Sequence, residues 1–301
     1  MAQLIKRRTP TLFGFMVLAI AGSASRSWAQ VIAATEIKTS QLQENLYLLQ
    51  GYGGNVLLSI GTDGALLVDD EYAVLTEKLV AAITAVTAQP VKFVINTHWH
   101  DDHTGGNAYF GRAGATIIAQ ENSRLRMQKD QIMSLYGPQA AYPVIGQAKI
   151  SFDSSMNLSF NGNSIALIHP GSAHTDGDAL VFLRERNVLL TGDLFVGYEY
   201  RPPYFDDRNG GSLEGMLHGL ERVLSMANEY TTVIPGHGPV ATRADVESYR
   251  TQLIGVRDTI KRAIAAGASE DAVVATHPLG AFARAGRGTD RWVRIVYREY
   301  R

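Results

Sequence analysis

Two periodicities of apolar residues divide the chain into predicted strands and helices. Short apolar runs are typical of β-strands, and apolar positions recurring every three or four residues are typical of amphipathic helices. The first half predicts strands at residues 46–50, 56–60, 65–69, 91–95 and 115–119, with a helix over 73–87. The second half predicts strands at 164–168, 179–183, 188–191 and 231–234, with helices over 213–226, 243–266 and 290–300.

The order of these elements predicts the architecture. Residues 51–54 (Gly-Tyr-Gly-Gly) form a turn signal, so the first two strands are expected to pair as a hairpin. The second half then repeats the succession of strands, helix and polar motif. This predicts an α/β protein of the αβ/βα sandwich type: two mixed β-sheets packed face to face, with helices outside, rather than one doubly wound sheet. Since no Pro-, Ser- or Gly-rich linker interrupts it, residues 30–301 are predicted to form a single domain, with C-terminal helices over 241–301.

The first 29 residues are predicted to be a signal peptide. Basic residues at positions 6–8 precede a short apolar stretch at 12–24, and Ser27 and Ala29 stand where a cleavage site before Gln30 needs small residues. The expected location is periplasmic or secreted, with no stable membrane insertion after removal of the signal. An uncleaved anchor is the alternative, although the stretch is short for a span of about 20 apolar residues. Both the Sec and the twin-arginine export routes stay open.

Composition narrows the functional class. Hydrophobic residues make up 46% and charged residues 19%, the balance of a packed globular protein. A net charge of −1 gives no electrostatic reason to expect a nucleic-acid partner, so a small-molecule substrate is expected. The chain has no cysteine, which excludes disulfides and thiolates. Any metal must therefore be held by nitrogen and oxygen; the oligomeric state is left without a prediction.

The segment 96–107 has the pattern H-x-H-x-D-H. His98 and His100 are two positions apart after a predicted strand, so in extended backbone their side chains point the same way and can reach one ion. Asp102 and His103 follow where the chain turns and can face a second ion. The alternative is a histidine-rich turn that caps a helix, but four ligand-type residues within six positions favour a metal site.

Three more ligand-type residues follow later predicted strands. His174 comes after the strand at 164–168, Asp193 ends the run that begins at Val188, and His237 lies between two glycines after the strand at 231–234. Each is ambiguous alone, because strand-end polar residues often only form turns. Together they place candidate ligands on loops where the active sites of layered α/β folds gather.

The seven residues, in this order, resemble the five metal motifs of the metallo-β-lactamase superfamily, and the resemblance covers about residues 46–240. It implies an αβ/βα sandwich with two metal ions between the sheets, usually Zn²⁺, with Fe or Mn also possible. Carried over by position, the ligands of the first metal are His98, His100 and His174. Those of the second metal are Asp102, His103 and His237, and Asp193 bridges both.

The resemblance also implies a chemistry. A metal-bound hydroxide attacks the carbonyl of a small amide, ester or thioester, one ion polarises the carbonyl oxygen, and the other steadies the leaving group. Asp102 is expected to be catalytic as well as a ligand, orienting the nucleophile and relaying its proton. The sequence offers no competing nucleophile, since it has neither cysteine nor a G-x-S-x-G elbow.

The substrate stays open between alternatives. The commonest β-lactamases carry Cys at the position of Asp193 and a Lys shortly after it, whereas residues 194–197 are Leu-Phe-Val-Gly. The pair Asp102 and His103 with Asp193 is instead similar to glyoxalase-II-like thioesterases and lactonases, although residues 170–183 resemble the β-lactamases. A non-catalytic metal-binding accessory protein is the alternative of another class, and the complete ligand set argues against it.

Two loops supply candidate substrate contacts. Tyr52 lies in the 51–54 turn, where the resemblance implies a mobile hairpin over the metals. The segment 198–211 holds Tyr198, Arg201 and Asn209 among further aromatic residues, a composition that suits an apolar substrate bearing a carboxylate. A plain turn at Tyr52, and aromatic packing that merely anchors the long loop, are the structural alternatives.

Overall fold

The computed structural model describes residues 27–134, 136–197, 202–283 and 286–301. Most of the predicted signal peptide, and both Tyr198 and Arg201, lie outside the described residues. The strands are β1 (Lys38–Gln43), β2 (Leu46–Gln50), β3 (Val56–Gly61), β4 (Gly64–Val68), β5 (Val91–Ile95), β6 (Thr116–Gln120), β7 (Gln131–Met133), β8 (Gly137–Gln139), β9 (Ile150–Phe152), β10 (Ser155–Phe160), β11 (Asn163–Ile168), β12 (Leu180–Leu183), β13 (Val188–Leu190) and β14 (Thr232–Ile234).

Helices flank these strands along the chain. The α-helices are α1 (Trp28–Ala34), α2 (Thr76–Val86), α3 (Asp101–Thr104), α4 (Asn107–Arg112), α5 (Glu121–Met127), α6 (Leu213–Met226), α7 (Arg243–Ala265), α8 (Glu270–Ala275) and α9 (Arg287–Glu299). Short 3₁₀ helices lie at Ala73–Leu75, Val144–Gly146, Gly192–Leu194, Asp207–Asn209 and Gly280–Phe282.

Two mixed sheets form the body of the molecule. The first has the order β1-β2-β3-β4-β5-β6-β9; its pairs are antiparallel as far as β4 and parallel from β4 to β9. The second has the order β10-β11-β12-β13-β14, with only the last pair parallel. The predicted hairpin is confirmed, since β2 pairs antiparallel with β3. Strands β7 and β8 form a small separate hairpin.

The alternation of side chains along β4 shows how the layers are built. Leu66 belongs to the apolar core between the two sheets, where it is buried with Leu167 of the second sheet. Its neighbour Leu67 points the opposite way, into a core shared with Leu79 of α2. A run buried on both faces is therefore continuously apolar, as the sequence of this strand is.

Helices of the second half cover the outer face of the second sheet. Leu220 of α6, Leu253 of α7 and Val296 of α9 are buried in one cluster with Leu189 and Val233 of the sheet. The molecule thus has four layers, helix, sheet, sheet and helix, and the predicted αβ/βα sandwich is confirmed.

The elements that the sequence did not predict are short or polar. They comprise β1, β7, β8, β9, β10, α1, α3, α5 and α8. Strand β1 is an edge strand with no buried residue, and β10 alternates serine and asparagine with apolar residues, so neither offers a continuous apolar run. The predicted helix over 73–87 begins as a 3₁₀ turn and ends at Val86.

The strand ends of both sheets meet at one edge. Strands β4 and β5 run parallel in the first sheet, and β13 and β14 run parallel in the second. The loops after β5 and β14 each bond to the opposite sheet: Thr97, after β5, accepts at its carbonyl from the N–H of Ala179 before β12 (2.7 Å), and Gly236, after β14, accepts from the N–H of Asn55 between β2 and β3 (2.7 Å). This edge holds all seven predicted ligands.

Candidate metal centre

The segment carrying His98 and His100 leaves β5 along a path fixed by Asp69. The carboxylate of Asp69 accepts hydrogen bonds from the backbone N–H of Thr97 (2.7 Å) and from its hydroxyl (2.8 Å). Asp69 lies at the end of β4 with φ +61° and is 1% exposed. The start of the motif is therefore held by a buried carboxylate from the neighbouring strand.

Three imidazole nitrogens converge in what we call the first ligand group, His98, His100 and His174. Nδ1 of His100 lies 3.1 Å from Nε2 of His98 and 3.0 Å from Nε2 of His174. All three side chains are buried. The structure thus brings His174 from the second sheet against two histidines of the first.

In each histidine of this group, one ring nitrogen (the inner nitrogen) faces the other two histidines and the other (the outer nitrogen) points away. The hydrogen bonds of the outer nitrogens determine which nitrogen carries the proton. His174 donates from Nδ1 to the carbonyl of Tyr204 (2.8 Å), and His100 donates from Nε2 to Oδ2 of Asp206 (3.4 Å). Nδ1 of His98 faces the hydroxyl oxygen of Thr97 (3.2 Å), whose own proton is committed to Asp69, so His98 donates as well. The three inner nitrogens therefore all present lone pairs.

The second ligand group is Asp102, His103 and His237. Nε2 of His237 lies 3.2 Å from Nε2 of His103 and 3.2 Å from Oδ2 of Asp102, which is 3.7 Å from Nε2 of His103. His103 is buried and donates from Nδ1 to Oδ2 of Asp69 (2.8 Å). Nε2 is therefore the nitrogen of His103 that faces this group.

Asp193 lies between the two groups. Its Oδ1 is 3.2 Å from Nε2 of His103 and 3.4 Å from Nε2 of His237, and its Oδ2 is 3.7 Å from Nε2 of His174. The loop after β14 approaches so closely that any side chain in place of Gly236 would collide with this carboxylate. One carboxylate thus reaches both groups, which is the arrangement of a bridging ligand.

Burial and charge act differently on the two groups. Burial lowers the pKa of His98 well below its usual value and lowers the pKa of His174 to about 4. Burial also opposes the charge of His237, but the carboxylates of Asp193 and Asp102 outweigh it and raise the pKa of His237 to about 10. Burial works against the ionised form of Asp102, yet His103 and His237 overcome it and lower the pKa of Asp102 to about 2.

This donor set fits metal ions. Three lone pairs about 3 Å apart repel one another unless a cation lies among them, and neutral imidazole is a preferred ligand of zinc. Among the described residues, clusters whose ligand atoms all lie within 4.8 Å of one another are His98 with His100 and His174, His98 with Asp102 and His103, and His103 with Asp193 and His237. These clusters contain all seven predicted ligands.

Comparison with known proteins agrees with this site. The family model described as "Metallo-beta-lactamase superfamily" matches residues 39–237, which include all seven residues. The chain belongs to the metallo-β-lactamase superfamily. It is accordingly an enzyme of a metal-dependent hydrolase family that acts on small molecules, and the resemblance inferred from the motifs is confirmed.

Individual relatives of this superfamily member are distant. It is 23% identical over 236 residues to the metallo-beta-lactamase type 2 of Bacillus sp. (strain 170), covering 73% of this chain and 84% of that one. Its structure resembles the metallo-beta-lactamase from Pontibacter korlensis (TM-score 0.61, 19% identity, 72% of this chain and 99% of that chain). It also resembles the DIM-1 metallo-beta-lactamase (TM-score 0.60, 21% identity, 72% and 96%). These structural likenesses show a shared fold.

Three buried carboxylates that support the ligands were not predicted from the sequence. Asp69 holds Thr97 and His103, Asp206 accepts from His100, and Asp178 accepts from the backbone N–H groups of His174 (2.7 Å) and Thr175 (3.0 Å). Asp69 had a signal, because it ends an apolar strand as Asp193 does. Asp206 lies in the 198–211 loop without any local pattern.

Two of the predicted substrate contacts, Tyr52 and Asn209, lie among the described residues, Tyr52 in a surface turn and Asn209 in the interior. Tyr52 packs edge-on against Trp28 (6.1 Å between ring centroids), and its turn is held by hydrogen bonds from Gly53 to Glu71 and from Gly54 to the carbonyl of Asp102. Asn209 is 3% exposed and its amide is bonded to other side chains. In this structure Asn209 is therefore a buried support for its neighbours, and its contact with a substrate stays a prediction.

Proposed function

We propose that the chain is an exported dinuclear zinc hydrolase in which water attacks the carbonyl carbon of a small amide, ester or thioester and the bond from that carbon to nitrogen, oxygen or sulfur breaks. One observation carries the proposal: two groups of ligand atoms lie side by side, and the oxygens of Asp193 reach both. A single-metal site needs only one such group. The complete set also argues against an accessory protein that has lost catalysis.

The ligand atoms of the two groups indicate which metal each group could bind and what that metal would contribute. When bound, two zinc ions supply Lewis acidity that polarises a carbonyl oxygen and lowers the pKa of water to about 7. The first ligand group offers three imidazole nitrogens, whereas the second offers two imidazole nitrogens and a carboxylate. Zinc suits this nitrogen and oxygen set, and Fe or Mn are the alternatives that metal analysis separates.

We assign to Asp102 the role of orienting the attacking water and accepting its proton. Its neighbours His103 and His237 keep its pKa at about 2, so the carboxylate is ionised at neutral pH. It is partly exposed, with 19% of its side chain accessible, and is therefore open to solvent as well as to the ligand group. From this position it accepts a hydrogen bond from water and orients it toward a carbonyl carbon.

The substrate class has two candidates. The relatives named metallo-beta-lactamases make a β-lactam amide the first substrate to test. A thioester or lactone is the second candidate, because an aspartate, Asp193, stands between the ligand groups where the commonest β-lactamases have a cysteine. Glyoxalase-II-like thioesterases and lactonases share that aspartate in the resemblance drawn from the motifs.

Export is proposed on the N-terminal pattern alone. The basic positions 6–8, the apolar stretch and the small residues before Gln30 are those of a cleaved signal, which gives a periplasmic or secreted enzyme. In the described part of the chain, no helix has both the length and the apolar character needed to cross a bilayer.

One preparation tests these points together. The protein is purified from the periplasmic fraction, its first residue is determined, its metal content is measured, and β-lactams, thioesters and lactones are assayed. We expect Gln30 at the N-terminus, two zinc ions per chain and turnover of at least one class. Asp102→Ala should lose at least about 100-fold in kcat/KM, since it removes a ligand and the water-orienting carboxylate.

The matched control is His218→Ala, which removes an exposed histidine of α6 outside both groups and should leave turnover unchanged. Equal turnover by wild type and Asp102→Ala would show the mechanism to be wrong. Bound metal without turnover of any substrate class would favour the accessory protein instead.

A further inference from the structure

The small β7–β8 hairpin contacts the backbone on both sides of His100. Gln139, the last residue of β8, accepts a hydrogen bond at Oε1 from the N–H of Asp101 (3.2 Å). It donates from Nε2 to the carbonyl of Trp99 (3.0 Å). Its side chain is 8% exposed, so one buried amide bonds to both residues that flank the ligand.

The other strand of the hairpin reaches the side chain of His100 through Asp206. Ser134 follows β7 and donates to Oδ1 of Asp206 from its N–H (3.1 Å) and its hydroxyl (3.0 Å). The other carboxylate oxygen, Oδ2, accepts from Nε2 of His100 at 3.4 Å. Because that last contact is long, the orientation of His100 depends on how firmly Asp206 is held.

Asn209 and Arg126 complete the support of Asp206. Asn209 donates from Nδ2 to Oδ2 of Asp206 (2.6 Å) and to the carbonyl of Ile132 in β7 (3.2 Å), while its Oδ1 accepts from Nη1 of Arg126 (2.7 Å). Nη1 of Arg126 also bonds to Gln131 (3.1 Å) in β7. The network therefore links the hairpin to His100 through Asp206, and Arg126 is itself held by an ion pair with Asp176 (2.7 Å).

We propose that the β7–β8 hairpin is a clamp that positions His100 for the first metal ion, and that Gln139 and Asn209 are its positioning residues. The inference rests on the proposed binding of two metals. Gln139 fixes the backbone of the ligand, and Asn209 fixes the carboxylate that keeps the proton of His100 on Nε2. Nδ1 is thereby kept as a lone pair directed at the first ligand group.

The test separates the two ligand groups by removing one at a time. In a His237→Ala background, which leaves the first group complete, zinc affinity is measured by competition with a chelator. Gln139→Ala and Asn209→Ala should each weaken binding there by about 10- to 100-fold, as loss of a ligand's supporting partner does. In a His98→Ala background, which keeps the second group, the same substitutions should leave the affinity unchanged.

A matched control accounts for general effects of removing a buried amide. Asn163 of β11 is 5% exposed, bonds only to the carbonyl of Asn161 among the described residues, and lies in neither the hairpin nor the ligand groups. Asn163→Ala should leave both affinities unchanged, and thermal unfolding of the metal-free variants reports any shared loss of stability.

Two results would overturn the clamp: equal weakening of both groups by Gln139→Ala and Asn209→Ala, or no weakening of the first group. Both differ from failure of the proposed function, which is a wild-type chain that binds one ion instead of two. That failure would leave the comparison within the first group intact.

Discussion

The two ligand groups hold their atoms in place by different means. In the first group, His98 and His174 have their pKa values lowered by burial and are neutral at physiological pH. In the second group, the shared Asp193 and Asp102 itself face two histidines, and together they outweigh burial and raise the pKa of His237 to about 10. The first group is therefore organised by hydrogen bonds to its outer nitrogens, and the second by attraction between opposite charges.

This difference indicates in which group metal binding must first displace protons from the ligand atoms. An ion entering the first group finds lone pairs ready, because the outer nitrogens of His100 and His174 already donate to Asp206 and to the carbonyl of Tyr204. An ion entering the second group must displace protons that the carboxylates attract. This contrast leads to three predictions, the strongest first.

Removing the shared carboxylate should damage both groups at once. Asp193→Ala takes away the one residue whose oxygens reach His103, His237 and His174, so we expect kcat/KM to fall by at least about 100-fold and bound zinc to drop below two per chain. Steady-state kinetics and metal analysis measure this. Asp153→Ala, an exposed position outside the site, is the control. Full activity with two bound ions would contradict the bridging position.

Removing Asp69 should show that the groups share one support. Asp69→Ala leaves both donors of Thr97 and Nδ1 of His103 without their acceptor, so zinc affinity should fall by about 10- to 100-fold in each group. The free energy of unfolding should fall by about 3 kcal/mol, since buried donors lose their partner. Chelator competition and urea unfolding measure the two effects.

Asp63→Ala is the control, because Asp63 is exposed and its carboxylate also accepts a backbone hydrogen bond, from Asn161 (2.7 Å). Loss of affinity in only one group after Asp69→Ala would show that the supports are separate.

A change of pH should alter the zinc affinity of the second ligand group and leave that of the first unchanged. His237 has a folded-state pKa of about 10, and the pKa of His103 is raised well above its usual value because Asp102 and Asp193 outweigh burial. The second group must therefore release protons before it binds metal, and its affinity should rise by at least about tenfold between pH 7 and pH 8. His174 has a pKa of about 4 and is already neutral in this range, so the first group should be flat. Titration of zinc affinity in the His98→Ala and His237→Ala backgrounds measures each slope. Equal slopes of zinc affinity against pH in the two backgrounds would contradict this difference between the ligand groups.

Much of the sandwich was predictable because its strands carry their own pattern. Strand β5 has the predicted bounds, and β4 and β13 differ from prediction only at their ends. Strands β4 and β13 are buried throughout, and such strands have continuous apolar runs that leave a local signal. The β7–β8 hairpin left no such signal. Each of its strands has three residues, and it is held by Gln139 and Ser134 through contacts to segments about 40 and 70 positions away.

The candidate ligand residues and the family could be inferred from the sequence alone. Histidine and aspartate at strand ends are local facts, and the order of seven such residues is specific. Only the tertiary structure decided which nitrogen of each histidine faces inward, since the proton follows partners such as Asp206, 106 positions from His100. It also decided that Asn209 supports a ligand, because burial and bonding partners depend on how distant segments pack.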